Sequence, residues 1–504
     1  MRGARNAHVC PYTFRFLRAR RLAPQLLATI SDAMQARFIA VLISLPLLPS
    51  LVIAQGLPPQ ISGALKSAGI PESRFGVVIW EAGKAEPAFM HQAQSAFNPA
   101  SVMKLLTTYA GLEILGPAYA WKTEAYVDGP VVNGKLSGNL YLKGYGDPTL
   151  TLERVWLLVR ELRQRGLMTI EGDLVADASW FNLPAFDPGR FDGDPRRAYN
   201  TPPSALLANF NSATVRVSVE NSGVKLNVDP LPTGYSLVNQ VRLTNGYCNE
   251  ESRPGFDLLP GNGGQQLVVS GNFSRLCGEK SYPVNLGDPA LTAASMFLAL
   301  WKEAGGALSG QISQGATPAT SLLLARLDSP SLAYVIRDIN KWSNNVMTRQ
   351  LLLTLGAEKF GAPGTPEKGA KVVREWLSGR GLQFSELVLE NGSGLSRIER
   401  ISPHSMARLL QAAYQSALFS ELAASLPIAA VDGTMKTRNK KNGVAGNAHL
   451  KTGSLNGAKN LAGYVLDNQG RRWVVVNFIN HSNAERGGAA QDALVEWVYQ
   501  GMPQ

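Results

Sequence analysis

The chain has 504 residues, 45% hydrophobic and 17% charged, with 49 glycines and 30 prolines. That balance describes globular material of about three domain-sized units and excludes a disordered or collagen-like chain. The formal charge of +11 suggests a nucleic-acid binder until it is located: residues 1–54 hold seven arginines (Arg2, Arg5, Arg15, Arg18, Arg20, Arg21, Arg37) against one acid, Asp32, so they carry more than half of it. Lys436, Arg438, Lys440 and Lys441 are then the one local basic cluster, and no dense basic stripe is left for nucleic acid.

The leader ends in MQARFIAVLISLPLLPSLVIAQ, with a basic Arg37, an apolar core from Phe38 to Leu48, and Val52-Ile53-Ala54 before Gln55. This is the pattern of a secretory signal, with cleavage expected near Ala54–Gln55. Pro46 and Pro49 interrupt the apolar run, which is short for a membrane span. Met34 stands just before it, so residues 1–33 read as an over-extended gene start. Export fits the cysteines: Cys10 is lost with the leader, leaving Cys248 and Cys277 to form a disulfide in an oxidising compartment.

After the leader, FGVVIW (75–80) reads as a strand. NPASVMKLLTTYAGLEILG (98–116) reads as a buried helix: Asn98 can cap it, Pro99 suits its first position, and Gly116-Pro117 stops it. Ser101 and Lys104 lie three apart and therefore on one helical face. Burial favours the neutral amine of Lys104, which could then take a proton from Ser101. A Ser-x-x-Lys match is expected about once by chance at this length, so the pair needs support from elsewhere.

From about 126 to 285 short alternating segments, such as GNLYLKG, EGDLVAD and ATVRVSVE, read as a β-rich insertion. Apolar-periodic helices return from about 286, beginning with LTAASMFLALWKEAG, and strand-like HLKTGS, LAGYVLD and RRWVVVNFIN precede a last helix near 489–499. One sheet is expected to combine the early strand with these late ones. The expected division is thus a leader (1–54), a main domain (55–125 with 286–504) and the insertion (126–285).

Two further motifs join the first. In NKWSNNVMTRQLLL, Ser343 and Asn345 sit in a short loop between helices. In HLKTGSLNG, Lys451, Thr452, Gly453 and Ser454 lie on a strand ending at the Asn456-Gly457 turn. Glycine permits close backbone approach there, and lysine with hydroxyls suits a carboxylate. The five histidines are scattered, and neither His-Glu-x-x-His nor paired Cys-x-x-Cys occurs, so no metal is expected. A phosphate-binding Gly-x-x-x-x-Gly-Lys loop and a Gly-x-Ser-x-Gly elbow are also absent from the sequence.

Ser-x-x-Lys, Ser-x-Asn and Lys-Thr-Gly in this order are a signature of serine β-lactamases and penicillin-binding proteins. With KGYGDPTL, ENGSGLSR, LPIAAVDGTMKTR and KTGSLNGAKNLAGYV, the chain resembles more narrowly the class C low-molecular-mass penicillin-binding proteins, the D-alanyl-D-alanine carboxypeptidase/endopeptidase family. It departs in reading Ser-Asn-Asn at the second motif and in having Ser454 where threonine is also common; both keep the functional groups. The resemblance implies an α/β (α+β) transpeptidase fold with antiparallel sheet and helices, a periplasmic enzyme without a cofactor, and peptidoglycan stem peptides and β-lactams as partners.

It also implies roles. Ser101 would attack the penultimate D-alanine carbonyl with Lys104 as base, Ser343 would relay the proton to the leaving amine, and Lys451 would tune the field. The N–H groups of Ser101 and Ser454 would form the oxyanion hole, Asn345 would bind the substrate amide and orient Lys104, and Thr452 and Ser454 would hold the carboxylate. Asp147 and Arg397 are the candidates for a diaminopimelate side chain, although Asp147 could simply cap its own turn. A β-lactamase and a catalytically silent wall-binding scaffold are the competing readings. The Lys436–Lys441 cluster suits either a weak contact with wall or membrane or a solvated loop.

Overall fold

The computed structural model describes residues 56–502 apart from 222, 262 and 442, so the expected leader and its cleavage site lie outside the described residues. The early strand is Phe75–Glu81, and it does join the late ones. A five-stranded antiparallel sheet runs in the order Ala448–Leu455, Ala458–Leu466, Arg472–Asn480, Phe75–Glu81, Phe89–His91. Successive side chains of a strand point to opposite faces, and here both faces are covered. Val78, Val474, Val476 and Tyr464 pack with the Ser101 helix, while Val77, Ile79, Val475 and Val465 pack against Ile61 and Leu65 of helix Pro59–Ala68 and Leu494 of helix Gly488–Tyr499. Two covered faces explain why FGVVIW and RRWVVVNFIN read as continuous apolar runs.

The helix behind Ser101 differs from expectation at its start. Ala100–Met103 form a 3-10 turn and the α-helix begins at Lys104. The reason is Ala100, which takes a positive φ of 46°. Asn98 Oδ1 accepts from the Ala100 N–H at 2.9 Å, so Asn98 bends the chain into the Ser101 turn instead of capping a regular helix.

The inserted region is larger than its texture suggested. A second five-stranded sheet has the order Ile312–Gln314, Leu174–Asp177, Leu140–Gly144, Lys122–Val127, Leu322–Asp328. Helices Leu152–Gln164 and Pro289–Glu303 supply Val155, Leu158, Phe297 and Trp301 to the core that also holds Ala125, Leu142 and Ala325. Residues 286–328 therefore share a sheet and a core with the insertion, and its natural ends are Lys122 and Asp328, which face each other across a strand pair. Helical periodicity in LTAASMFLALWKEAG identified a helix but not the surface it packs on.

Within this insertion, residues 212–285 form a further unit. Its two three-stranded sheets, Gly223–Asp229/Ser212–Glu220/Glu279–Asn285 and Tyr235–Thr244/Gly264–Ser274/Gly255–Gly261, enclose Val215, Val217, Leu267, Val269, Phe273 and Val284. Cys248 and Cys277, 29 positions apart, are joined there. Closing such a loop is worth about 3 to 4 kcal/mol in the chain-entropy account. Reduction is expected to lower the melting temperature while penicillin labelling survives at low temperature. Two free thiols in the mass spectrum of exported protein would remove the link.

Candidate active site

The Ser101 turn is clamped from the sheet side. Asn98 N–H donates to Asn480 Oδ1 at 2.6 Å, and Asn460 and Asn480 both donate side-chain N–H to the Asn98 carbonyl, at 2.9 and 3.1 Å. The strand carrying Lys-Thr-Gly-Ser closes the same corner. A methyl group built on Gly453 would stand 2.7 Å from the Pro99 carbonyl oxygen and 3.0 Å from Ser101 N. Glycine is needed at 453 because the strand backbone lies directly on the turn that carries the serine.

One helical turn along, Lys104 Nζ is 3.0 Å from Ser101 Oγ and 2.6 Å from Asn345 Oδ1, and it also donates to the Ser393 carbonyl. Asn345 opens helix Asn345–Phe360, while Ser343 ends helix Leu332–Trp342 with a left-handed φ of 59°. Between them Asn344 accepts from Met347 N–H at 3.0 Å and caps the second helix. The middle asparagine is therefore a cap, which is why that position tolerates an amide where an acid would serve equally. Lys451 Nζ lies 2.9 Å from Ser343 Oγ and 2.7 Å from the Thr452 carbonyl oxygen.

Both lysines are fully buried. Burial holds the Lys104 amine well below its ordinary pKa, helped by the charges of Lys451 and Arg349 and opposed by Glu399. Burial alone pushes Lys451 down to about 7. Each amine has an oxygen-rich shell that accepts its N–H groups while permitting loss of a proton. Ser454 is exposed and Thr452 half-buried, so both hydroxyls are within a ligand's reach.

Thr434 also belongs to this corner, and no motif of the sequence marks it. Its hydroxyl oxygen is 2.7 Å from Thr452 Oγ1. Its loop is locked by an ion pair between buried Lys341 and Asp432, 2.6 Å, and by Asp432 accepting from Ile428 N–H at 2.8 Å. It lies in VDGTMKTR, one of the segments that carry the family resemblance. In the adjoining cluster Arg438 is tied to Asp492 at 2.6 Å, so Lys436, Lys440 and Lys441 are what remains of the basic patch.

The two candidates for side-chain recognition part company. Arg397 stands at the rim of the strand that bears Lys451, donating to the Asn456 carbonyl at 3.3 Å, with its guanidinium 4.3 Å from the centre of the Phe191 ring. Asp147 is only 2% exposed, and its Oδ1 accepts from both the N–H and the hydroxyl of Thr149, at 2.8 and 2.7 Å. It caps its own turn, and among the described residues no contact joins it to Arg397. The acid next to the ring on which Arg397 rests is Asp192, bonded to Tyr199 and Asn200 and paired with Arg197. A cavity of about 370 Å³ opens elsewhere, among Asp177, Phe181, Ser204, Asp288 and Gln314, and none of the three motifs lines it.

The chain is similar along most of its length to known proteins. Over 489 residues, 91% of this chain and 90% of that protein, the sequence is 29% identical to a D-alanyl-D-alanine carboxypeptidase of Actinomadura sp. (strain R39). It is 26% identical over 460 residues to D-alanyl-D-alanine carboxypeptidase DacB of Haemophilus influenzae, covering 90% of this chain and 93% of that one. The crystal structure of penicillin-binding protein 4 from Haemophilus influenzae matches with a TM-score of 0.74 at 25% identity, over 87% of this chain and 99% of the other. The pattern of the D-Ala-D-Ala carboxypeptidase 3 (S13) family fits residues 57–500, nearly everything described above, and the chain belongs to that family.

Proposed function

We propose that Ser101 is the nucleophile with which this serine D,D-peptidase of peptidoglycan attacks the carbonyl of the penultimate D-alanine. The observation that carries the reading is the contact chain among five polar groups from three separate stretches: Ser101–Lys104–Asn345 on one side and Ser343–Lys451 on the other. Neutral Lys104 takes the Ser101 proton as the C–O bond forms. The N–H groups of Ser101 and Ser454 receive the oxyanion, such donors being worth about 3 kcal/mol each. Ser343, bonded to Lys451, passes a proton to the departing amine, and water then releases the acyl group. Thr452 and Ser454 bind the terminal carboxylate.

Removal of a terminal D-alanine and cleavage of a D-alanyl-diaminopimelate cross-link share this acylation and differ in the leaving amine. A β-lactam acylates the same serine. Export by the 34–54 leader to the periplasm, where such substrates lie, completes the reading, with weak wall or membrane contact through Lys436, Lys440 and Lys441.

Labelled penicillin followed by peptide mapping tests it. A long-lived adduct on Ser101 is expected; rapid turnover would indicate a β-lactamase, and no adduct a silent scaffold. Recognition of a diaminopimelate carboxylate falls to Arg397. Arg397→Ala is expected to weaken cleavage of diaminopimelate-containing muropeptides by about 1.5 to 3 kcal/mol, the scale of a charged hydrogen bond. Penicillin acylation should stay almost unchanged, and equal losses on both substrates would make Arg397 a support of the common site.

A further inference from the structure

One buried ionisable group near the nucleophile has no part in the steps above. Glu399 is completely buried, and its Oε1 accepts from three successive backbone N–H groups: Glu390 at 3.1 Å, Asn391 at 2.9 Å and Gly392 at 2.8 Å. Those residues lead directly into Ser393, whose carbonyl accepts from Lys104 Nζ. The same loop is fastened to the Lys104 helix by Thr107, whose hydroxyl donates to the Gly392 carbonyl at 2.7 Å. Gly394, at a φ of 80°, lies so close to the Ala100 carbonyl that a side chain there would overlap it. The loop thus touches both the amine and the turn of the nucleophile, and Glu399 is the group its backbone N–H donors converge on.

Three converging N–H donors favour the carboxylate over the neutral carboxyl, whose carbonyl oxygen accepts them more weakly. The charged groups facing Glu399 come from every side: Lys104 from its helix, Arg349 from helix Asn345–Phe360, Glu390 from the loop, and Lys451 beyond Lys104 on its strand. Arg349 is buried, donates to the Thr201 carbonyl at 3.2 Å and leaves its Nε without a hydrogen-bond partner, as is Glu399 Oε2. Burial, with the Glu390 charge beside it, leaves the Glu399 carboxyl above its ordinary value, while the three N–H bonds favour the anion and oppose that rise.

We infer that Glu399 is a positioning residue for Lys104: it holds the Ser393 carbonyl against the amine and, as a buried anion, sets the field in which that amine gains and loses its proton. The inference rests on Lys104 being the proton acceptor. An anion beside Lys104 raises its proton affinity, against the lowering by burial, Lys451 and Arg349. The residue makes Lys104 a stronger base while moving the pH at which it becomes free upward.

The test is the pH profile of penicillin acylation. Glu399→Gln keeps an oxygen for the three N–H donors and removes the charge. The acid limb is expected to move to lower pH by about one unit or more, the scale of a unit charge within about 12 Å at an effective dielectric constant of about 20. Glu399→Asp, which keeps the charge, should restore the limb even where its plateau is lower. A limb that stays in place in the glutamine variant, or a plateau that falls without any shift, overturns the inference and leaves Glu399 a structural support. Should that variant not fold, Arg349→Gln probes the same field with opposite sign: the limb must rise, and an unmoved limb overturns the field. In the unmutated enzyme, a Glu399 carboxyl that carbon-13 NMR finds neutral at pH 7 overturns it as well. Failure of the underlying reading is distinguishable, because Lys104→Arg would then acylate normally.

Discussion

Replacing Ser101 by alanine is expected to abolish both peptide hydrolysis and penicillin labelling, with a loss of at least about 10⁴-fold in kcat/KM. Nothing else in the site offers a nucleophile in the same place, since Ser343 Oγ is committed to Lys451 at 2.9 Å. Folding should survive. Ser101 is half-buried, and among the described residues the side-chain hydrogen bond it gives up is that from Lys104, which keeps Asn345 and Ser393. The melting temperature should therefore move by no more than about 2–4 °C, the shift produced by roughly 1 kcal/mol in a domain of this size class. Undiminished labelling of the alanine variant would assign the chemistry to another hydroxyl.

Lys104→Arg is expected to lower acylation by about 10²- to 10⁴-fold, the usual contribution of a positioned base. A guanidinium stays protonated and cannot accept the Ser101 proton, although it keeps the positive charge. The same logic fixes the sign of the pH dependence in the unmutated enzyme. With Lys104 as the proposed base, acylation is expected to need its neutral amine, so the rate should rise as pH rises through the apparent pKa values of the lysine pair. Burial holds both below the ordinary lysine range, with Lys451 at about 7. Because the two amines are coupled, the limb reports the pair and not either residue alone. Near-normal acylation by the arginine variant would remove Lys104 from the role of base.

Much of the site could be read in one dimension because its groups are local to their motifs. Ser101 and Lys104 are one turn apart, the apolar ring of Val102, Leu105, Leu106 and Tyr109 announced the burial of the lysine, and Gly453 marked a close backbone approach. What approaches Gly453 was not legible: it is the serine's own turn. Nor was the positive φ of Ala100, which is set by Asn98 and by strands near the other end of the chain. Thr434 meets Thr452 and Glu399 meets residues 390–392 across loops, at spacings that fit neither a helical nor a strand period, so no local pattern marks them. Asp147 shows the converse, a Gly-Asp-Pro turn whose local capping outweighed the role inferred from resemblance. The boundary at 285 failed because a change of texture from strand to helix is not a change of core.

The pairing of Phe75–Glu81 with Arg472–Asn480 has a consequence for the order of assembly. Gly76 and Asn477, 401 positions apart, are hydrogen-bonded in the centre of the sheet. During synthesis the early strand must wait for almost the entire polypeptide, whereas Lys122 and Asp328 close the insertion well before the C-terminal strands exist. Contacts between near neighbours in sequence form faster than distant ones, so the insertion is expected to mature first and to leave Phe75–Glu81 waiting as an unsatisfied edge. A polypeptide stopped before Arg472 keeps every residue of the Ser101 turn and loses one of the two asparagines that clamp it, Asn480. It also exposes an apolar strand edge that invites aggregation. If Ser101 is the proposed nucleophile, its covalent capture of penicillin is expected only once the last strand has arrived, so labelling would also report the completion of the sheet.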